Sequence, residues 1–486
     1  MSLTSEGGEA ISAEKMSRVS RAVVTILLLA FITAIRLPYI ANSPYEYDSW
    51  RQSDTESIAL NFIEHRMNIF FPQLNYDGPL PNYVQLEFQM TTWLIAWLYR
   101  WFGHDYALAR AVPIGFFVIS AYALLLIARR YVTDRTAWTA VLLYGIMPVT
   151  ILYSRAIMPE SAALCCMLGA YWLFVKGVEE SKRGLVVLSG VFMALAIAEK
   201  IPAVFTGIPL IAVAVQAYKH RLFVRTELWI FAAIALGFPF LYFQWLSTVA
   251  EFPFVTGIAT KHIWPHLLES FRSNEALQFF RTNLPSTFTW CGIGLFVIGL
   301  LCLDWRRHWS LGVWAIAMLL ELAVIVATIR FDYYLILTAP VAALLGAQAL
   351  ARIGRWRVGK AAAAAVILAI GCQSYAIAVP LLQGQQTVLM QQAAWVQRYT
   401  PKNALVVVGT DDPSLLNASR RIGWRTGSLL PDDPVKELNA FIADGARYFI
   451  PLQGHIDGDD GRLAAYLNER FQRIEIPGGY SIYKLQ

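Results

Sequence analysis

Long apolar stretches dominate the pattern of the chain between Val23 and about Pro380. Each holds about 20 residues, enough for an α-helix to cross roughly 30 Å of hydrocarbon. A backbone in hydrocarbon must also satisfy its own hydrogen bonds. The pattern therefore predicts a polytopic α-helical membrane protein with about eleven transmembrane helices. The predicted spans are residues 22–41, 106–128, 136–155, 161–178, 184–199, 202–218, 228–246, 286–303, 310–329, 333–350 and 361–380.

One apolar segment, VQLEFQMTTWLIAWLYRWFG at residues 84–103, is short and crowded with aromatic side chains. If it crossed the membrane, the basic loops that follow it would all lie outside, against the enrichment of Lys and Arg in cytoplasmic loops. A short amphipathic helix rich in Trp suits the membrane interface instead. We therefore predict interfacial helices within a first periplasmic loop at 42–105. The N-terminal tail, residues 1–21, is then cytoplasmic.

The pattern changes after Pro380 to the short alternating stretches of a small soluble α/β domain, predicted at 393–486. Because the predicted spans are odd in number, this domain lies on the periplasmic side, as does a second large loop at 247–285. VVVGTDDPS lacks a glycine-rich phosphate loop, so no nucleotide site is expected there. Strands are predicted at 404–409, 447–451, 473–476 and 481–485, and helices at 414–421, 435–444 and 463–471.

Composition excludes a water-soluble enzyme. Of the 486 residues, 57% are hydrophobic and 15% charged, whereas soluble proteins carry about 25% charged residues. The net charge of +6 needs no nucleic-acid partner, because basic residues orient membrane spans. The five cysteines show neither CxxC nor Cys/His ligand spacing, so neither a disulfide framework nor a zinc site is indicated.

The first periplasmic loop is the densest polar region, with SPYEYDSWRQSDTESIALNFIEHR at 43–66. Ser53 and Glu56 form a capping-box pattern, which predicts a helix with Asp54 in its first turn. The helix dipole there favours an ionised carboxylate. Asp54 could simply support the helix start, or it could belong to a functional site together with Asp48 and Arg51, which are close in the sequence.

A second acid, Glu160, follows SRAIMP at the periplasmic boundary between two spans. The cations Arg155, Lys200 and Arg330 reach the same level, and Arg51 lies in the first loop. Single cations at span ends often only reach toward the interface, but their joint placement predicts a charged cavity. A carboxylate there could accept the proton of a hydroxyl group, while cations stabilise a leaving phosphate.

Other polar and aromatic side chains are candidates for contact with substrate. Tyr45, Tyr47 and Trp264 could stack on sugars, although aromatic residues near an interface often serve as anchors. His262 and His266 have helical metal spacing, but the Pro265 between them weakens a helix; a divalent metal is possible but not indicated. Glu321 lies within a span and is either functional or hydrogen-bonded between helices. The candidate substrate contacts are Trp50, Gln52, Tyr83, Glu87, Asp332, Tyr333 and Tyr334.

Several stretches resemble bacterial glycosyltransferase family 39, whose members have the GT-C fold and are related to protein O-mannosyltransferases and the lipid A aminoarabinose transferase. The stretches are YDSWRQSDTESIALNF, NIFFPQLNYDGPLPNYVQLEF, SRAIMPE, the Lys200 segment and RFDYYLILTAPVAALLGA, within residues 20–350. WRQSDT is the most specific part.

The resemblance implies a transferase of the bacterial inner membrane. It would move a sugar from a polyprenyl-phosphate donor to a hydroxyl of a lipid, glycan or protein on the periplasmic side. In the family an Asp of the first loop is the catalytic base; Asp54 matches it best and Asp48 is the rival. Glu160 matches the second acidic position of the family.

One element departs from the family. Many relatives carry Lys-Pro-Pro late in the first loop, with the Lys near the donor phosphate, whereas this chain has Asp77, Gly78 and Pro79. Another cation must then bind the phosphate. Two other functions remain open, a carrier or flippase of lipid-linked sugars and a polysaccharide ligase or polymerase. A carrier should show broken helices near mid-membrane or repeated halves, but the polar residues here gather at one face.

Overall fold

The computed structural model describes residues 17–251, 254–270, 272–427, 429–430, 432–452 and 461–486. Most of the predicted N-terminal tail, residues 1–16, therefore lies outside the described residues. The remainder is mostly helical and ends in a small sheet.

The helices up to the second large loop form the first half of the bundle. They are α1 (Arg18–Ala34), α2 (Ser49–Glu64), α3 (Met90–Phe102), α4 (Tyr106–Tyr131), α5 (Asp134–Ile146), α6 (Pro148–Tyr153), α7 (Glu160–Glu179), α8 (Arg183–Glu199), α9 (Gly207–Tyr218) and α10 (Thr226–Val249). Two 3₁₀ segments, Ile201–Thr206 and Lys219–Val224, flank α9.

The second half of the bundle contains more irregular helices. They are α11 (Phe254–Ile258), α12 (Trp264–Ser270), α13 (Asn274–Phe288), α14 (Trp290–Leu301), α15 (Trp305–Glu321), α16 (Ala327–Ile329), α17 (Ala339–Ile353), α18 (Gly359–Gln383) and α19 (Thr387–Tyr399). Two π-helical segments, Ala259–Ile263 and Leu322–Val326, and the 3₁₀ segment Asp332–Thr338 lie between them.

The membrane fold agrees with the predicted class, and the count of eleven spans remains a prediction. Among the described residues, seven helices are long and apolar enough to cross a membrane, or eight if the bent pair of α13 and α14 is one span. The predicted spans at 22–41 and 184–199 form helices of 17 residues, α1 and α8. The predicted span at 136–155 is interrupted at Met147, between α5 and α6.

The short aromatic segment does not cross the bundle, as expected of an interfacial helix, and its place at the membrane interface remains a prediction. Its helix α3 has 13 residues, about 20 Å of α-helix. Arg110 near the start of α4 donates hydrogen bonds to the carbonyls of Asn42 and Ser43, just after α1. At the other end, Arg21 of α1 lies 3.5 Å from Asp134. We call the end that holds Arg110 the outer end and the end that holds Asp134 the inner end.

Helix α7 begins at the outer end and is deeply enclosed by the bundle. Its apolar window is 83% buried, and it packs mainly against α8 and α4. Tyr171 stacks on Trp314 of α15 with ring centroids 4.6 Å apart. This packing fixes the position of Glu160, the first residue of α7.

The C-terminal region is the predicted α/β unit with one additional strand. Its described residues form helices α20 (Ser414–Ser419), α21 (Pro434–Ala443) and α22 (Arg462–Arg470) and a five-stranded sheet of order β2-β1-β3-β5-β4. The strands β1 (Leu405–Val408), β3 (Tyr448–Ile450), β4 (Gln472–Ile476) and β5 (Tyr480–Lys484) were predicted. Strand β2 (Ile422–Arg425), with the sequence IGWR, was missed because it is short and contains a glycine.

The sheet unit shares a hydrophobic core with the loop between α1 and α4, the first large loop. Phe62 and Tyr76 of the loop cluster with Val406, Leu416 and Ile482 of the C-terminal unit. Two backbone hydrogen bonds connect the unit to the same loop, from Gly78 N–H to the Gly423 carbonyl and from Gly423 N–H to the Asn75 carbonyl. The C-terminal unit is therefore built onto the loop that carries the candidate acids.

Candidate active site

The capping-box prediction is wrong, because helix α2 begins before Ser53. The helix starts at Ser49, and Asp48 is the preceding residue, with a left-handed backbone of φ 49°. The Ser53 hydroxyl donates to the Trp50 carbonyl at 3.0 Å, as serines inside helices do. Asp54 therefore lies in the second turn. The side chain of Asp48 caps no N–H group of α2, which leaves its carboxylate available for other contacts.

Six charged side chains meet at the outer end, where several helices start or stop. Glu160 begins α7, Lys200 directly follows α8, and Asp332 begins a 3₁₀ segment. We call the group the charged cluster; it consists of Asp48, Arg51, Glu87, Glu160, Lys200 and Asp332.

Lys200 is at the centre of the charged cluster. Its Nζ lies 2.5 Å from Glu160 Oε1 and 3.9 Å from Glu87 Oε1. The ammonium also lies over the rings of Tyr333 and Tyr334, 4.5 and 4.4 Å from their centroids. Such rings attract a cation through their negative faces. Lys200 is thus held in place inside the protein while keeping its charge.

Arg51 lies at a partly exposed edge of the charged cluster. Its Nη2 lies 2.6 Å from Glu87 Oε2, and both side chains are partly exposed. Burial alone raises the pKa of Glu87, but the charges of Arg51 and Lys200 outweigh it, so this pKa lies below its usual value. Glu87 therefore stays ionised and holds the two cations close together.

Asp48 faces the acids and the lysine of the cluster. The Tyr153 hydroxyl interacts with both Asp48 and Asp332, and Glu160 and Lys200 lie within electrostatic range of Asp48. Burial raises the pKa of Asp48 to about 6, and the negative charge of Asp332 adds to the rise. Asp48 is therefore a stronger base than an ordinary aspartate.

Asp54 faces the C-terminal unit instead. Its Oδ2 accepts a hydrogen bond from the Tyr76 hydroxyl at 2.9 Å and its Oδ1 one from the Asn417 amide at 3.0 Å. Only 4% of the residue is exposed. Burial raises the pKa of Asp54 to about 7, and the charge of Arg51 limits the rise.

Arg155 and Gln52 occupy a separate buried group. Arg155 is fully buried and donates to the Tyr39 carbonyl at 2.6 Å. Gln52 accepts hydrogen bonds from Arg110 and from the Ile157 N–H, both at 3.1 Å. Arg155 therefore braces the loop after α1, and Gln52 links that loop to the turn before Glu160.

Arg330 and the aromatic candidates lie around the site rather than in the cluster. Arg330 pairs with Glu275 at 2.7 Å, so of the four candidate phosphate ligands only Arg51 and Lys200 come together through Glu87. Trp50 is 37% exposed and lies under the Arg425 guanidinium. The ring of Tyr83 packs 5.2 Å from that of Phe71.

The other aromatic candidates lie in different environments. Tyr45 is buried, and the Tyr47 hydroxyl donates to the Leu152 carbonyl at 2.6 Å. Trp264 is 68% exposed in the second large loop, close to its neighbour His266, whose Nδ1 lies 3.1 Å from Glu269. The side chain of His262 lies outside the described residues. No group of three His, Cys, Asp or Glu that could hold a metal occurs in the described part of the chain.

Two important contacts were not predicted. Glu199, at the end of α8, accepts hydrogen bonds from the Met90 N–H and the Thr91 hydroxyl, which fixes the start of α3. Arg425 makes two hydrogen bonds of 2.9 Å to the oxygens of Asp77 in the first large loop. The partners in both contacts are too far apart in the sequence for local patterns to reveal them.

Helix-to-helix hydrogen bonding does not account for the burial of Glu321. It is fully buried, and neither carboxylate oxygen has a hydrogen-bond partner among the described residues. The π-helical turn Leu322–Val326 follows directly, a feature that often occurs at functional sites. Lys200 is close enough to Glu321 to affect it electrostatically.

Comparison with solved structures identifies the fold. Cupriavidus metallidurans ArnT bound to undecaprenyl phosphate superimposes with a TM-score of 0.66 at 14% identity, covering 96% of this chain and 98% of ArnT. The Archaeoglobus fulgidus oligosaccharyltransferase AglB, in complex with an inhibitory peptide and a dolichol-phosphate, gives 0.60 at 14% identity, covering 96% of this chain and 74% of AglB. The chain is thus a membrane protein with the GT-C glycosyltransferase fold, as the resemblance predicted.

The family comparison points in the same direction. Residues 89–243 match the family model described as dolichyl-phosphate-mannose-protein mannosyltransferase. This match covers α3 through most of α10 and so includes Glu160 and Lys200. The comparison with curated proteins found no match.

Proposed function

We propose that the chain is a membrane glycosyltransferase that moves a sugar from a polyprenyl-phosphate donor to a hydroxyl acceptor, at the periplasmic face of a bacterial inner membrane. The observation that carries the proposal is the charged cluster at the outer end, where Asp48 and Glu160 lie beside Arg51 and Lys200. The undecaprenyl phosphate bound to ArnT and the dolichol-phosphate bound to AglB support the class of donor.

In this proposal Asp48, rather than Asp54, is the catalytic base. The acceptor hydroxyl gives its proton to Asp48 while its oxygen forms a bond to the anomeric carbon of the sugar. The bond between that carbon and the phosphate oxygen breaks, and polyprenyl phosphate leaves. With a pKa of about 6, Asp48 is mostly ionised at neutral pH and accepts a proton better than an ordinary aspartate.

Arg51 and Lys200 stabilise the negative charge that grows on the leaving phosphate. The guanidinium of Arg51 suits this role because its planar fork matches phosphate oxygens. Glu160 Oε1 holds Lys200, whereas its Oε2 has no hydrogen-bond partner among the described residues. Glu160 therefore serves to position Lys200 beside the phosphate.

The test uses the purified full-length protein in lipid vesicles with radiolabelled polyprenyl-phosphate sugars and a panel of lipid, glycan and peptide acceptors. We expect label to appear in an acceptor and polyprenyl phosphate to be released. Asp48→Asn should reduce this transfer at least about 100-fold, while Glu64→Gln, an exposed acid at the end of α2, should leave it unchanged.

A carrier and a transferase give different results in the same vesicles. Movement of labelled donor across the bilayer without formation of a new glycosidic bond would reject the transferase and favour a carrier. Transfer of a whole preassembled glycan, with no transfer of a single sugar, would instead indicate a ligase.

A further inference from the structure

A basic cavity lies at the inner end of the bundle, opposite the charged cluster. It has a volume of about 580 Å³. The segments after α4, before α15 and after α17 meet around it. Its lining includes Arg129, Arg130, Arg307, His308, Arg352 and Arg355.

Several of these charges are not compensated by acids. Arg129 pairs with Asp134 at 2.9 Å, and Arg130 pairs with Glu179. For the other three lining arginines, Arg307, Arg352 and Arg355, no ion pair with a carboxylate occurs among the described residues. The cavity therefore concentrates positive charge that no carboxylate in the described part of the chain neutralises by an ion pair.

The acid in the cavity lining is already used by the backbone. Asp304 is the one acidic residue among the described residues that line the cavity. Its Oδ1 accepts the N–H groups of Arg306 and Arg307 and so caps the start of α15. Asp304 therefore caps a helix, and no ion pair between it and a guanidinium occurs among the described residues.

Two packing features hold the walls in place. Trp305 lies over Gly312, where an added Cβ would meet the indole ring at 2.3 Å, and His308 interrupts the helical backbone with φ −125°. On the opposite wall, the Tyr131 hydroxyl contacts the hydroxyl groups of Tyr171 at 2.8 Å and Ser310 at 3.2 Å. The cavity is thus formed by the fold before any ligand arrives.

We propose that this cavity binds the phosphate-bearing headgroup of an anionic phospholipid in the cytoplasmic leaflet. Guanidinium groups match phosphate oxygens, and basic pockets between membrane helices on the cytoplasmic side bind such headgroups. The positive-inside rule accounts for arginines in these loops, but not for their convergence on one cavity. The neighbouring Trp356 and Val358 are 72% and 75% exposed, which places this edge of the bundle at the membrane interface.

The test measures lipid binding by native mass spectrometry of the detergent-purified full-length protein. Cardiolipin, phosphatidylglycerol, phosphatidylcholine and inorganic phosphate are titrated separately. We expect binding of the two anionic lipids, and about 25-fold weaker binding in the double variant Arg307→Gln/Arg352→Gln, since each arginine that contacts the bound headgroup contributes about fivefold. The matched double variant Arg135→Gln/Arg221→Gln, which removes two exposed arginines outside the cavity, should bind as the wild type does.

Equal loss, or no loss, of anionic-lipid binding in the two double variants would overturn the proposal. So would inorganic phosphate binding as tightly as the lipids, because the ligand would then be a free anion. If Arg307→Gln/Arg352→Gln cannot be purified, thermal unfolding of the wild type tests the proposal instead. Cardiolipin should raise its melting temperature and phosphatidylcholine should not, and equal effects of the two lipids would refute the site.

Discussion

Asp48 and Asp54 lie near the start of the same helix, yet their surroundings give them different roles. Asp48 faces Glu160 and Lys200, whereas both oxygens of Asp54 accept hydrogen bonds from Tyr76 and Asn417. The substrate of a transferase must reach its base within hydrogen-bond distance. At the residue scale, access therefore favours Asp48 over the acid that best matches the family pattern.

The first prediction separates the two acids. Asp48→Asn should lower the transfer rate at least about 100-fold, while Asp54→Asn should keep it within about tenfold, because an amide can still donate to the Tyr76 hydroxyl and accept from Asn417. Both rates are measured with saturating donor on protein that elutes as a single species. Loss of transfer in Asp54→Asn with full transfer in Asp48→Asn would reverse the assignment.

The second prediction concerns the pH dependence of transfer. Because burial raises the pKa of Asp48 to about 6, the ionised base should be fully present above about pH 7 and lost as the pH falls through 6. The rate should then drop about tenfold for each pH unit below 6. A rate profile recorded from pH 4.5 to 8.5 checks this, and the residual activity of Asp48→Asn should lack the step. A flat wild-type profile would contradict Asp48 as the base.

The third prediction concerns stability. The pKa of Asp54 is raised to about 7 in the folded protein, against about 3.9 in an unfolded chain. The folded state therefore binds this proton more tightly, so the stability that Asp54 contributes is complete below about pH 4 and is lost as the pH rises through 7. Relative to the wild type, Asp54→Asn should gain thermal stability between pH 4 and pH 8. A constant difference in melting temperature across this range would refute the shift.

At the element scale, α2 connects the charged cluster with the C-terminal unit. One side of the helix carries Arg51, paired with Glu87, while Ser53 and Asp54 receive hydrogen bonds from Asn417 of α20. The unit thus holds the helix that presents the site. This arrangement lets the C-terminal unit support the helix that carries the candidate active-site residues.

The fourth prediction tests this connection at strand β2. A Cβ added at Gly423 would lie 1.9 Å from the Val406 carbonyl oxygen, and both are backbone positions of paired strands. Gly423→Ala should therefore destabilise the unit by about 1–3 kcal/mol and loosen its backbone contacts with Asn75 and Gly78. Limited proteolysis should cut the C-terminal unit faster in this variant. Gly371→Ala, where an added Cβ meets nothing within 4 Å, is the matched control.

The elements that were predictable are those whose own residues determine them. Apolar runs and alternating stretches indicated the membrane helices and four strands. The capping-box pattern failed because serine inside a helix can bond to its own preceding turn, as Ser53 does. Strand β2 was missed because its pairing with β1, rather than its four residues, makes it a strand.

The site was predictable as a set of residue types but not as a geometry. Glu160, Lys200 and Arg51 were candidates because acids and cations were predicted to lie together on one side of the membrane. Arg51 and Lys200 both contact Glu87, and this depends on contacts between segments that are distant in the sequence. The same holds for Asp54, which is hydrogen-bonded to Asn417 and lies outside the charged cluster. No local pattern reports such contacts.

At the scale of the whole molecule, the two ends of the bundle have opposite chemistry. Helix α4 has 26 residues, about 39 Å at 1.5 Å per residue, and carries Arg110 at the outer end and Arg129 at the inner end. Mixed acids and cations gather at the outer end, while uncompensated arginines surround the inner cavity. This asymmetry suits a protein that performs its chemistry on one side and is oriented by basic groups on the other.

The fifth prediction is the resulting orientation. Single cysteines replace the exposed residues His65, Glu180 and Lys402 in a variant whose native cysteines are changed to alanine or serine. A membrane-impermeant maleimide added to the periplasmic side should label the cysteines at His65 and Lys402, because the first loop and the C-terminal unit share one core. The cysteine at Glu180 should react only after the inner membrane is permeabilised, since Glu179 beside it pairs with Arg130 at the inner end. Labelling of all three from the periplasm, or of Glu180 alone, would contradict a periplasmic site.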